Sequence, residues 1–136
     1  FGLGDGGAHC SAICDATMCT FLLTHWARDR KRGTRFSVEE VVKKLTQDNA
    51  ELYGLHDRGV LAPGYRADFN VIDFDALRLH APEIAHDLPG GAQRLIQRAD
   101  GYRYTIVRGE VVQQDGKDTG ARPGRVVRGQ QPAPSS

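Results

Sequence analysis

A chain of 136 residues, 40% hydrophobic and 26% charged, is long enough for one domain with its own core and too short for two full ones. Eighteen basic side chains against 17 acidic ones leave a net charge of +1, so no global field draws the chain to nucleic acid or to an anionic membrane. No apolar run approaches the roughly 20 residues of a membrane helix, which excludes an α-helical membrane span.

Chemistry-bearing residues crowd the start. Gly2-Leu3-Gly4-Asp5-Gly6-Gly7-Ala8-His9 sets one carboxylate and one imidazole among four glycines, after the short apolar opening of Phe1 and Leu3. An acid presented at the end of a strand looks like this. Phe1 is not an initiator Met, so the chain is expected to begin inside a longer protein. Residues 1–19 read as strand end, glycine turn and loop. Cys10, Cys14 and Cys19 lie close together in odd number, unlike a secreted disulfide framework, and predict a reducing cytoplasm.

A helix is expected from Thr20 to Arg32, with Leu22, Leu23, Trp26 and Ala27 as its apolar face and Gly33 as its stop. Arg28, Arg30, Lys31 and Arg32 read as a solvated basic face. Ser37-Val38-Glu39-Glu40 is a capping-box signature, and it opens a helix striped by Val38, Val41, Val42 and Leu45. Asp48-Asn49 breaks or re-caps that helix, a short turn carries Leu52 and Tyr53, and Gly54 closes it.

Past Gly54 the texture becomes β-rich. Pro63-Gly64 marks a turn before a strand at residues 67–74, and residues 75–92 read as a long irregular crossing. Strands resume at Arg94–Gln97, Tyr102–Arg108 and Glu110–Gln114, with turns at Arg108-Gly109 and Asp115-Gly116. Arg125–Arg128 is a final short strand candidate. The expected organisation is α+β: residues 1–56 helical, 57–129 a small β-subdomain, and 130–136 a disordered tail.

Several segments, in order, resemble the amidohydrolase superfamily, and within it the D-aminoacylase (N-acyl-D-amino-acid deacylase) group. Gly2 to His9 is similar to the segment around that group's acid at the end of the eighth barrel strand. Leu45-Thr46-Gln47-Asp48-Asn49-Ala50-Glu51-Leu52-Tyr53-Gly54-Leu55 resembles its last barrel helix. Asp57 to Asp73 resembles the return into a small β-subdomain. Thr105 to Val112 and Gly120 to Arg125 resemble the closing strands. Met18-Cys19-Thr20 departs from the pattern, which has a proline before the threonine.

The resemblance implies the last strand and helix of a (β/α)8 barrel plus a C-terminal β-subdomain. It also implies a zinc-dependent parent enzyme that cleaves the amide of N-acyl-D-amino acids with metal-activated water. Zinc lowers the pKa of its bound water to about 7 and polarises the carbonyl. The ligating histidines sit on earlier strands, outside this sequence. Only the strand-8 acid carries over, onto Asp5, as proton shuttle and candidate metal contact. His9 reads as a histidine supporting the strand-8 loop, or as a substrate contact. The implied partners are a small N-acyl amino acid, the remainder of the barrel and a second copy of the protein, with neither nucleic acid nor membrane. The piece alone is expected to be inactive and to bind no zinc.

Other readings stand beside this one. Asp5 among glycines also suits an ordinary Asx turn. Gly2, Gly4 and Gly7 satisfy G-x-G-x-x-G, but Asp5 inside that pattern repels a pyrophosphate. His9, Cys10, Cys14, Asp15 and Cys19 can be read as a zinc or iron–sulfur site, but their C-x3-C-x4-C spacing lacks the C-x2-C knuckle of structural zinc. A non-catalytic β-rich binding or assembly module is the alternative function.

Overall fold

The computed structural model describes Ala12 and residues 17–134. Among these the chain is mixed α and β, with short helices first and antiparallel strands after. No described helix is long and apolar enough to cross a membrane.

The first helix starts as α1 (Met18–Phe21) and continues as a π-helical run, Leu22–Asp29. The Thr24 hydroxyl donates to the Thr20 carbonyl at 3.1 Å, and the run closes with Arg30 N–H on the His25 carbonyl, five residues back. A hydroxyl competing for the ladder loosens α-helical winding. The helix ends at Asp29, where Arg30 turns to an extended conformation, short of the expected Arg32.

Of the expected solvated basic face, Lys31 and Arg32 are exposed, whereas Arg28 and Arg30 pack onto the fold. Arg28 reaches across to the Phe74 and Leu77 carbonyls at 2.5 and 2.8 Å while forking onto Asp29. Arg30 lies over the Trp26 ring, 4.3 Å from its centroid. These cations are clamps on the fold, because an arginine can cover apolar surface with its stem and still satisfy carbonyls with its head.

Helix α2 (Val38–Leu45) has the full capping box: Glu40 N–H donates to Ser37 Oγ at 3.1 Å and Ser37 N–H to Glu40 Oε2 at 2.8 Å. The break falls at Thr46, and α3 (Gln47–Leu52) follows, with Gly54 beyond it at φ +67°. Val41 is fully buried, whereas Val42, Leu52 and Tyr53 are exposed.

The main sheet is antiparallel, ordered β1 (Phe69–Ile72), β6 (Tyr102–Val107), β7 (Glu110–Gln114), β8 (Lys117–Asp118). Both expected two-residue turns are present. Arg108-Gly109 and Asp115-Gly116 each place two consecutive residues at positive φ, the twist a tight hairpin needs. The Arg108 and Gly109 amides donate to Asp68 Oδ1 and the Ala67 carbonyl, so the turn is pinned to the entry of β1.

The stretch expected as an irregular crossing is a ribbon folded back on itself. β2 (Arg78–Leu79) pairs β5 (Ala99–Asp100), and β3 (Glu83–Ala85) pairs β4 (Arg94–Ile96). Pieces of two or three residues are too short to show a period, and Pro82 hides their continuity by lacking an N–H. At the ribbon's base Gly101 sits at φ +97°, where an added Cβ would stand 2.7 Å from the Leu77 Cα.

No strand forms at Arg125–Arg128. The segment expected as a disordered tail carries an ordered contact instead. Gln131 bridges Leu55, its N–H on the Gly54 carbonyl at 2.9 Å and its carbonyl accepting from His56 at 3.1 Å. The buried cluster joins Leu22, Leu23 and Val41 from the helices to Leu77 from the ribbon, with Trp26, Phe36, Phe74 and Tyr102 packed around it.

Candidate functional site

Asp5 and His9, with Cys10 and Cys14, lie outside the described residues, so the structure neither brings them together nor separates them. What it describes is the frame into which that stretch runs. Thr17, Thr20 and Thr24 recur at helical spacing on one face. Thr17 Oγ1 donates to Gln97 Oε1, and the hydroxyls of Thr20 and Tyr102 share a hydrogen bond of 2.7 Å. Gln97 in turn donates to the His80 carbonyl at 2.8 Å. The helix entry that follows the glycine-rich segment is thus tied to the β-rich region by side chains from both.

Gln97 and Tyr102 also line an open groove of about 860 Å³ between ribbon and sheet, together with His80, Asp100 and Lys117. In it His80 Nε2 lies 2.9 Å from Asp100 Oδ1, and Arg78 holds the other carboxylate oxygen at 2.7 Å. His80 first and Arg78 second keep the Asp100 carboxyl below its ordinary pKa, because each bonds its charged form. An imidazole on an anionic carboxylate is an oriented imidazole. No local pattern marks His80, since its partner stands on the other leg of the ribbon and only the β2–β5 pairing joins them.

Among the described residues no group of three His, Cys, Asp or Glu side chains is placed to hold a metal ion. Asp5 alone offers one carboxylate, fewer donors than a zinc site needs, and its neighbours His9, Cys10, Cys14 and Asp15 lie outside the described residues. Cys19 is a free, exposed thiol.

Residues 1–113 match the amidohydrolase family, and the chain belongs to that family. Its relatives include a 5-methylthioadenosine/S-adenosylhomocysteine deaminase of Desulfitobacterium hafniense, 51% identical over 45 residues, which are 33% of this chain and 10% of that protein. An allantoinase of the same species is 29% identical over 107 residues, 78% of this chain and 23% of the relative. A dihydroorotase of Methanothermobacter thermautotrophicus is 32% identical over 93 residues, 61% and 20%. The chain therefore spans less than a quarter of the length of these curated relatives. No solved structure matches it.

Proposed function

We infer that this chain is the C-terminal part of a metal-dependent amidohydrolase that cleaves a linear amide, the N-acyl bond of a D-amino acid. It would supply the last strand and helix of the barrel and a small β-subdomain from about residue 57. The observation that carries the reading is the family match across residues 1–113, which takes in Asp5 and its flanking glycines. The deaminase, allantoinase and dihydroorotase relatives support C–N bond hydrolysis as the class. The choice of an N-acyl-D-amino acid within it rests on the local resemblance of Gly2–His9 and Leu45–Leu55.

Amide hydrolysis needs an activated water, a polarised carbonyl and a proton delivered to a poor leaving group. In the intact enzyme a zinc ion held by residues outside this chain would supply the first two needs. This chain's part is the third. The Asp5 carboxylate takes the proton released by the attacking water and returns it to the departing nitrogen, while the adjacent glycines let substrate come close to the backbone. His9 lies in the same segment and would contact the substrate or hold that loop.

The test is Asp5→Asn in the intact parent, assayed on an N-acetyl-D-amino acid with metal content measured in parallel. Loss of a proton shuttle lowers kcat by about 10²–10⁴-fold. Unchanged kcat would show that Asp5 has no catalytic part and would leave the β-rich region as a binding or assembly module.

A further inference from the structure

Most arginines of the β-rich region have a carboxylate of their own. Arg78 pairs with Asp100, Arg94 with Asp87, Arg98 with Glu83, Arg103 with Asp73 and Asp115, and Arg122 with Asp118. One depression breaks that pattern. A cleft of about 430 Å³ runs between the 57–66 loop, the β6–β7 turn and the 125–131 segment. Its lining holds Arg58, Arg66, Arg108, Arg125 and Arg128 against one carboxylate, Asp57.

Two of the five cations are neutralised in place. Arg58 forks onto Asp57 at 2.7 and 2.9 Å, and Arg66 Nε lies 2.6 Å from Asp68. The guanidinium groups of Arg108, Arg125 and Arg128 have no acceptor among the described residues. The walls do not depend on these three side chains. Arg66 N–H is on the Asp57 carbonyl at 2.8 Å, Arg108 N–H on Asp68, and Gln131 is bonded to Gly54 and His56. Backbone bonds thus fix the 57–66 loop, the β6–β7 turn and Gln131, at the end of the 125–131 segment, around a concave, cation-lined surface.

We propose that this cleft is a binding site for a polyvalent oxyanion of the phosphate class. Three like charges on one concave surface repel, and a monovalent carboxylate would leave two of them uncompensated. A guanidinium presents a planar fork that matches two oxygens of a tetrahedral phosphoryl group. The volume suits a small phosphorylated molecule or pyrophosphate. A nucleic-acid strand does not fit the remaining surface, where nearly every arginine of the β-rich region is already paired with an acid. The inference is independent of the amidohydrolase reaction and of Asp5.

Calorimetric titration of the 136-residue chain tests it, with inorganic phosphate, pyrophosphate and phenyl phosphate as probes and sodium chloride at matched ionic strength as reference. Saturable binding of at least one phosphate probe is expected, weakened at least tenfold by Arg125→Gln/Arg128→Gln and left unchanged by Arg78→Gln on the ribbon. Preference for phenyl phosphate over inorganic phosphate identifies a phosphorylated metabolite as the source, and the reverse identifies the free ion. Arg108→Asn, which keeps a residue tolerant of positive φ in the turn, repeats the test at a second position should the double variant fail to fold by circular dichroism. Binding no tighter than chloride, or binding that survives within twofold in the folded variants, overturns the proposal.

Discussion

Asp118 shows how a single exposed carboxyl is set by its neighbours. Arg122 forks onto it at 2.9 and 2.6 Å and the Gly120 amide donates at 2.9 Å. These bonds favour the charged form and bring its pKa from the ordinary 3.8 down to about 2. A depressed carboxyl stabilises the fold fully above its unfolded value and loses that contribution as pH falls through the folded one. Carboxyl NMR should therefore show Asp118 titrating near 2, with the Gly120 amide shifting in step. Arg122→Gln should return the midpoint towards 3.8, and an unmoved midpoint would assign the shift elsewhere. Arg122 stands four residues on, within sight of a sequence reader. Asp100 with His80 does not, and neither does Arg28 with the Phe74 and Leu77 carbonyls.

Helix α2 is the element most completely written in local sequence. The capping box needs only four neighbouring residues to specify it, whereas Val41 is buried by Leu22, Leu23 and Leu77 while Val42 of the same stripe is exposed. Ser37→Ala removes the acceptor for the Glu40 amide and should cost about 1 kcal/mol in denaturant unfolding. Ser37→Asp should cost far less, since it restores an acceptor. The ribbon is the opposite case. Its strands are two or three residues long, and their pairing across Arg78–Asp100 and Glu83–Ile96 has no periodic signature. Leu77, fully buried at its base, joins helices to ribbon, so Leu77→Ala should destabilise by about 2–5 kcal/mol. A loss below 1 kcal/mol in the same measurement would mean that the two regions are not coupled through this side chain.

At the scale of the molecule, this is a member of the amidohydrolase family that spans less than a quarter of its curated relatives. No group among the described residues is placed to hold a metal, and the one carried-over acid, Asp5, is a single donor. The isolated chain should neither retain zinc after dialysis nor hydrolyse an N-acetyl-D-amino acid. Stoichiometric zinc by elemental analysis, or metal-dependent turnover, would refute this and point to a donor set involving His9 and the nearby cysteines.

The sequence by itself determined the order of helices before strands, the capping box, both positive-φ hairpin turns and the family resemblance. Each of these is a short-range pattern of side-chain size, charge or backbone freedom. Only the tertiary structure decided the folding of residues 78–100 into a ribbon, the Arg28 clamp, the Gln131 bridge and the meeting of five arginines in one cleft. Those depend on contacts between residues tens of positions apart, whose free energy appears only when the chain has closed on itself.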